Sequence, residues 1–405
     1  MSIQSPQSVT GFPRWVIVLG MLSAIAPLSI DMYLPSFPAI ATALHTDIAA
    51  VQRTLATFFI GLAAGQLVYG PISDRFGRKP PLYFGLALYS AASLLCAFAV
   101  TVDALQWGRL LQALGGCTGM VIARAVVRDR CDAVSSAKVM SLIMLVMGVA
   151  PILAPLIGGF ILQALGWRAI FGVLAVFGAI CLFAIHFSLE ESHDRTHAAP
   201  LHMGLILKNY AELLRDRHFL TLSLSGGLAQ AMMFTYITGS PFVLIEHYGI
   251  PAQHYGWIFG CNAFGLIAAS QINARLLHRF SPQQLLNYTL SFAAALSLAL
   301  LLLTAAGITG LPLLLPALFG CVGVLGFVTP NSVALALQHQ GKRAGAASAL
   351  VGMLQLGVAA IASSALSLWN AQNELPLTIV MACCGVGALA MYKLAPREIL
   401  KNAAA

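Results

Sequence analysis

Long apolar runs separated by short polar gaps fill this chain from end to end, and only one gap is wide. A hydrocarbon core of about 30 Å is crossed by a helix of about 20 apolar residues. On that ruler the pattern predicts twelve membrane-crossing helices, over residues 14–36, 51–72, 81–100, 105–126, 138–164, 168–189, 218–245, 255–277, 284–305, 312–336, 345–368 and 375–394. Gly, Pro and polar residues blur the ends of the fourth, seventh and tenth. The wide gap, Glu190 to Arg217, is polar and charged and splits the helices six and six. We therefore expect an N-terminal six-helix bundle over 1–189, a cytoplasmic linker over 190–217 and a C-terminal six-helix bundle over 218–405.

Composition narrows the class. Of the 405 residues 59% are hydrophobic and 9% charged, whereas a soluble domain is about a quarter charged. The expected fold class is an all-α polytopic membrane protein. A net charge of +8 could suggest nucleic acid, but the basic residues sit in the short gaps and form no aromatic-interleaved patch. Topology accounts for them better. The eight cysteines lie within or at the ends of apolar runs without metal-ligand spacing, so no disulfide framework and no metal site are expected. The first run, from Trp15, reads as a retained helix rather than a cleaved leader.

The positive-inside rule tests the count. With both termini cytoplasmic, the inner side collects Arg14, then Arg75, Arg78 and Lys79, then Arg124, Arg128, Arg130 and Lys138, and so on to Lys393, Arg397 and Lys401. The outer side keeps Arg53 and Arg168, with Arg109 just inside a helix. Adding or dropping one helix would destroy this alternation.

Within the spans, one acid stands out. Asp31 lies in Pro27-Leu-Ser-Ile-Asp31-Met-Tyr33-Leu-Pro35, deep in the first helix. An ionisable group at that depth costs roughly 3 kcal/mol on insertion scales, and it persists where it faces protein or a watery cavity. Pro27 and Pro35 each deprive the carbonyl four residues back of its donor, so the helix is expected to break around the acid.

Three further stretches follow. After the second helix comes Gly70-Pro-Ile-Ser-Asp74-Arg75-Phe-Gly77-Arg78-Lys79, with glycines for tight turning and charges for helix ends. The fourth helix carries Arg109, Gln112, Gly116 and Gly119 at steps of three and four, hence on one face. The fifth carries Gly148, Pro151, Pro155, Gly158 and Gly159 along one face, where backbones can approach closely.

These three stretches resemble, in order, the G-x-x-x-D-R-x-G-R-K loop, the fourth-helix R-x-x-Q-G motif and the fifth-helix G-P-x-x-G-G motif of the major facilitator superfamily. Ala113 stands where the family's fourth-helix glycine would be, and two extra residues precede the glycines of the fifth. The resemblance implies that Asp74 engages the start of the eleventh helix, at Arg343-Ala-Gly345-Ala-Ala-Ser348, and holds one access state. It also implies export, since the fifth-helix motif belongs to the antiporter branch. The Pro27–Pro35 run, Ala123-Arg124-Ala-Val-Val-Arg128-Asp129, Trp167-Arg168, Ser240-Pro241-Phe242-Val243 and Ala344–Leu350 are similar to the bicyclomycin and chloramphenicol resistance transporters, which are drug:proton antiporters. The expected protein is thus a proton-coupled exporter of small, largely apolar drugs in the bacterial inner membrane, with protons as coupling ion, no other cofactor, and a monomeric state. An uptake symporter, or an exporter of a small metabolite such as an amino acid, is the alternative.

On this reading Asp31 and Arg109, the only deep acid and base, face one cavity and exchange proton for drug. The pocket wall is expected among Tyr33, Gln112, Met233, Phe234, Tyr236, Asn262, Asn331 and Gln355, a mixture of adaptable apolar and amide groups. Gly70, Asp74, Arg75, Gly77 and Arg78, with Gly148, Pro151, Pro155, Gly158 and Gly159, are expected to govern the conformational change. An enzyme is disfavoured because no metalloprotease or phosphate-loop motif and no paired intramembrane carboxylates occur. A channel is disfavoured because no charge ring or filter repeat occurs.

Overall fold

The structure, a computed structural model, describes residues 13–192, 203–308, 310–369 and 373–396. All regular elements among them are helical. Helix α1 spans Arg14–Asp31 and is followed by a 3-10 turn, Leu34–Ser36, and a short α2, Phe37–Ala43. Then come α3 (Ile48–Phe76), α4 (Lys79–Ala97), α5 (Val102–Arg130), α6 (Ala133–Leu165) and α7 (Trp167–Ser188). The second half holds α9 (Arg217–Ser240), continued by a π-helical turn Pro241–His247, then α10 (Ala252–Leu276), α11 (Pro282–Ala305), α12 (Leu311–Gly323), α13 (Leu325–Leu337), α14 (Ala344–Leu366) and α15 (Leu375–Lys393). Between the halves α8, Met203–Arg215, occupies the part of the linker that is described; Arg195 and the rest of 193–202 lie outside the described residues, as do Arg397 and Lys401.

Eleven spans among the described residues are long and apolar enough to cross a membrane. The twelfth, α10, is 25 residues long and carries Gln253, His254, Asn262, Gln271 and Asn273 among its apolar positions. It packs along α6 as a full member of the bundle. Three spans are interrupted. The first breaks after Asp31, the seventh passes into the π turn, and the tenth is divided at Val324 between α12 and α13. The eight cysteines are free thiols.

Short polar side chains start the helices where the chain leaves the apolar layer. Asp47, Thr101, Asp132 and Asp216 each accept a backbone N–H of the following turn, and Ser281 with Gln284 forms a complete capping box. The backbone and hydroxyl of Ser135 hold the Asp132 carboxyl below the usual carboxylate range. Gly77 and Gly166 end α3 and α6 with φ of +90° and +81°, angles that a side chain would strain.

Packing then defines two bundles. In the first, α5 lies in contact with α3, α4 and α1, and α7 closes on α4. In the second, α9 is gripped by α14, α15 and α13. Two long seams join the halves, α14 against α3 and α10 against α6. Gly148, whose added Cβ would meet Ile267 at 3.0 Å, and Gly260, whose Cβ would meet Ile152 at 3.3 Å, let the second seam close. Arg75, Arg78, Lys79, Arg128 and Arg130 gather at one end of the bundles, called here the basic end; the break after Asp31 and the π turn lie toward the other, the far end.

A buried acid at the seam

The first span ends where its prolines lead one to expect. Asp31 is the last residue of α1 and 3% exposed, and the chain then winds through Leu34–Ser36 with Pro35 at its start. Gly158 of α6 sits directly on the carbonyl of Met32, a contact that any side chain at 158 would break. Gly158 is therefore applied to the break beside the acid, while Gly159 lies against α10, where an added Cβ would meet the Ala252 carbonyl at 3.2 Å.

Among the described residues no hydrogen bond or ion pair reaches the Asp31 carboxylate. The titratable groups in electrostatic range of it are Tyr236 of α9 and Tyr255 of α10, both in the second half. Asn262 donates a 2.7 Å bond to the Tyr236 hydroxyl, and the hydroxyls of Tyr255 and Ser240 are 2.8 Å apart. Phe259 stacks on Tyr236 with centroids 5.7 Å apart and lies 5.9 Å from the ring of Tyr255. Asp31 thus belongs to the first half by sequence and faces an aromatic, hydroxyl-bearing wall of the second.

Arg109 has a different setting. It is fully buried inside the first bundle, with its guanidinium carbon 4.1 Å from the Phe58 ring centroid, 4.7 Å from Tyr33 and 5.8 Å from Phe171. Nη1 donates 2.6 Å to Gln112, which in turn donates 2.8 Å to Ser93. Among the described residues Nε and Nη2 have no hydrogen-bond partner. The expected pairing of Asp31 with Arg109 in one cavity is not what the structure holds. Helix geometry is the reason, because Met32 and Tyr33 keep helical backbone angles and positions two apart are separated by about 200° around a helix: Asp31 lies toward Tyr236 and Tyr255 while Tyr33 faces Arg109 and bonds to Thr54 at 2.8 Å.

The expected pocket residues divide accordingly. Tyr236 and Asn262 lie together on the wall facing Asp31. Phe234 meets Phe59 across the halves at 4.5 Å, with Met233 half-buried beside it. Gln355 is half-buried on α14 next to Gly226 and Gly227 of α9. Tyr33 and Gln112 are interior packing of the first bundle, committed to Thr54 and to Arg109 and Ser93, and are corrected as pocket residues. Asn331 bonds to Asn273 at 2.8 Å and to the Phe327 carbonyl at 2.9 Å, which ties α13 to the last turns of α10 and removes it from the wall near Asp31. Tyr255 and Phe259 were not anticipated. Their spacing of four on α10 matches that of many packing residues, so only the fold shows which way they face.

At the basic end, Arg78 is 1% exposed and bound on every side. Nε donates 2.7 Å to Asp129, Nη1 donates 2.6 Å to Asp74 and 2.9 Å to Ser73, and the backbone N–H groups of Arg78 and Lys79 donate 2.8 and 3.1 Å to Glu191. Burial opposes the charge of Arg78, and the bonds with Asp129 and Asp74 more than offset it, holding the guanidinium above its ordinary range. Glu191 caps α4 from beyond α7. Asp74 is thus engaged by Arg78, with Arg128 at 3.7 Å, rather than by the eleventh span as expected. The reason lies in the linker: Glu212 of α8 takes Arg343 at 2.6 Å, and Gln340 bonds to Asp216 at 2.7 Å. Gly70 has open space around it, and Pro151 and Pro155 stay within a continuous α6.

A bundle of apolar spans whose two halves meet over a buried acid has the build of a membrane transporter. The sequence profile of the Major Facilitator Superfamily matches residues 19–364, and the chain belongs to that family. It is a multi-pass membrane transporter rather than an enzyme. It is 36% identical over 392 residues to an uncharacterized MFS-type transporter, YdgK, of Bacillus subtilis, covering 95% of this chain and 96% of that one. It is 31% identical over 386 residues to a bicyclomycin resistance protein homolog of Haemophilus influenzae, covering 95% and 97%. The fold is similar to that of the peptide transporter POT solved in complex with sulfate, at a TM-score of 0.77 and 14% identity over 98% of this chain and 96% of that one.

Proposed function

We propose that this protein exports small, largely apolar drugs of the bicyclomycin kind in exchange for protons, by alternating access between its two bundles, 1–189 and 218–405. The observation that carries the reading is Asp31: 3% exposed, without a bonded partner among the described residues, at the broken end of a span and turned toward the other half. A carboxylate so placed is hard to keep charged while the seam is closed, and it releases its proton readily when the seam opens to water. Proton and drug would occupy the same seam in alternation. A membrane potential contributes roughly 2.3 kcal/mol per charge per 100 mV to inward proton movement, enough to drive export against a gradient. Arg109 braces the first bundle through Tyr33 and takes no part in the exchange itself. Met233, Phe234, Tyr236, Asn262 and Gln355 form the drug-facing wall, now joined by Tyr255 and Phe259.

The likeness to the Haemophilus influenzae bicyclomycin resistance homolog supports the cargo class. The gathering of basic residues supports an orientation with that end, both termini and α8 in the cytoplasm of a bacterium, the bundle lying in its inner membrane. The protein works as a monomer and without a cofactor. The test is made in everted vesicles with a pH dye: drug addition releases protons from vesicles carrying the parent protein, and Asp31→Asn abolishes that release. Undiminished release from the variant would remove Asp31 from the mechanism.

A further inference from the structure

A second buried carboxylate stands apart from this scheme. Glu374, the residue before α15, is 1% exposed. Its Oε1 accepts a 3.0 Å bond from the Tyr248 hydroxyl. Its Oε2 lies 3.2 Å from Nε2 of His247, whose side chain is 31% exposed, yet among the described residues it has no aligned hydrogen-bond donor. The tie between His247 and Glu374 is therefore one of charge, and its strength depends on whether the imidazole carries a proton.

His247 and Tyr248 end the π-helical turn Pro241–His247, a backbone form that is rare and concentrated at functional positions. The front of this turn touches α2 and the 3-10 turn that follows Asp31, both in the first half. Nearby, Gln52 of α3 donates 3.3 Å to the carbonyl of Thr238. The π turn is thus one piece of the second half that closes on the first at the far end, beside the start of α10, and Glu374 fastens it from behind. The other ionisable groups on the elements packed against the turn are otherwise placed. Tyr236 and Tyr255 are bonded to Asn262 and Ser240 and face Asp31, while Glu246, His45, Asp47 and His254 are exposed. Arg217 and His218 stand at the opposite end of α9, and Lys393 at the opposite end of α15.

We infer that Glu374 positions the π turn as the far-end gate, and that His247, reached by water from the far compartment, sets how firmly the gate closes according to pH. Imidazoles change charge between about pH 5 and 8. A protonated imidazole at 247 neutralises Glu374 and holds the turn; a neutral one leaves the buried carboxylate without a counter-charge and the turn loosens. The inference needs alternating access and is independent of which residue carries the coupling proton or which drug is carried.

The experiment uses intact cells and a membrane-impermeant maleimide on the full chain, with the exposed Cys261 and Cys383 replaced by serine. Ala41→Cys, buried on α2, reports gate opening, and its labelling rate is divided by that of the exposed Ala43→Cys to cancel the pH dependence of thiol reactivity. The parent ratio is expected to rise at least threefold from pH 5.5 to pH 8. His247→Gln is expected to flatten that rise, and Glu374→Gln to flatten it at a level already high at pH 5.5. A parent ratio that stays level, or an undiminished rise in His247→Gln, overturns the inference. Should Glu374→Gln fail to accumulate in the membrane, His247→Gln, altered on a partly exposed side chain, decides alone. Because the readout is accessibility and not proton release, failure here leaves the Asp31 test untouched.

Discussion

Asp31 and Arg109 are both ionisable, both buried and both in the first half, yet the structure gives them opposite surroundings. Arg109 is enclosed by three rings of its own bundle and fixed by Gln112. Asp31 lies at a break, unbonded, against a wall that belongs to the other half. A buried charge wrapped by its own bundle serves architecture, whereas one left bare at a moving boundary is free to change state. The contrast teaches that depth in the membrane marks both residues as unusual but does not say which does the work.

The comparison can be broken most sharply by removing each group in turn. Asp31→Asn should lower drug-driven proton release at least a hundredfold while leaving thermal stability in detergent unchanged or raised, since an amide is less costly to bury than a charge. A parallel loss of stability and transport would assign the acid an architectural role. Arg109→Ala should do the reverse, costing on the order of 3 kcal/mol of stability through lost ring contacts and a stranded Gln112 amide, with any folded remainder still coupling protons to drug. Differential scanning fluorimetry paired with vesicle flux separates the two outcomes. Tyr255→Phe should change drug affinity several-fold, read by binding fluorescence, with little effect on melting temperature. The smallest effect is expected from Glu191→Gln, which weakens the cap on α4 by about 1 kcal/mol and slows neither binding nor release.

The spans themselves were legible because a bilayer imposes one length and one composition on every crossing helix, and the charge alternation fixed their number. The break after Asp31 was legible too, written in Pro35, whereas Pro27 is absorbed within an uninterrupted α1. What the sequence could not disclose was direction. Helix periodicity puts residues 31 and 33 on different faces, but nothing in Pro27-Leu-Ser-Ile-Asp31-Met-Tyr33 says which bundle each face meets, because that depends on how the first span packs. Glu374 reads as one more polar residue in a loop until the π turn covers it. Glu191 and Arg78 are 113 residues apart, and helix capping over such a separation leaves no local pattern. The expectation for Asp74 failed for a similar reason, since Glu212 in an apparently plain linker turned out to take Arg343.

One contact has a mechanical corollary. Where Gly158 presses on the carbonyl of Met32, two polypeptide backbones touch with nothing compressible between them. Any tilt of α6 along its glycine-smoothed track on α10 is therefore passed undamped to the loose end of α1. The acid rides on that end, so a rotation of whole bundles becomes a displacement of a single carboxyl group.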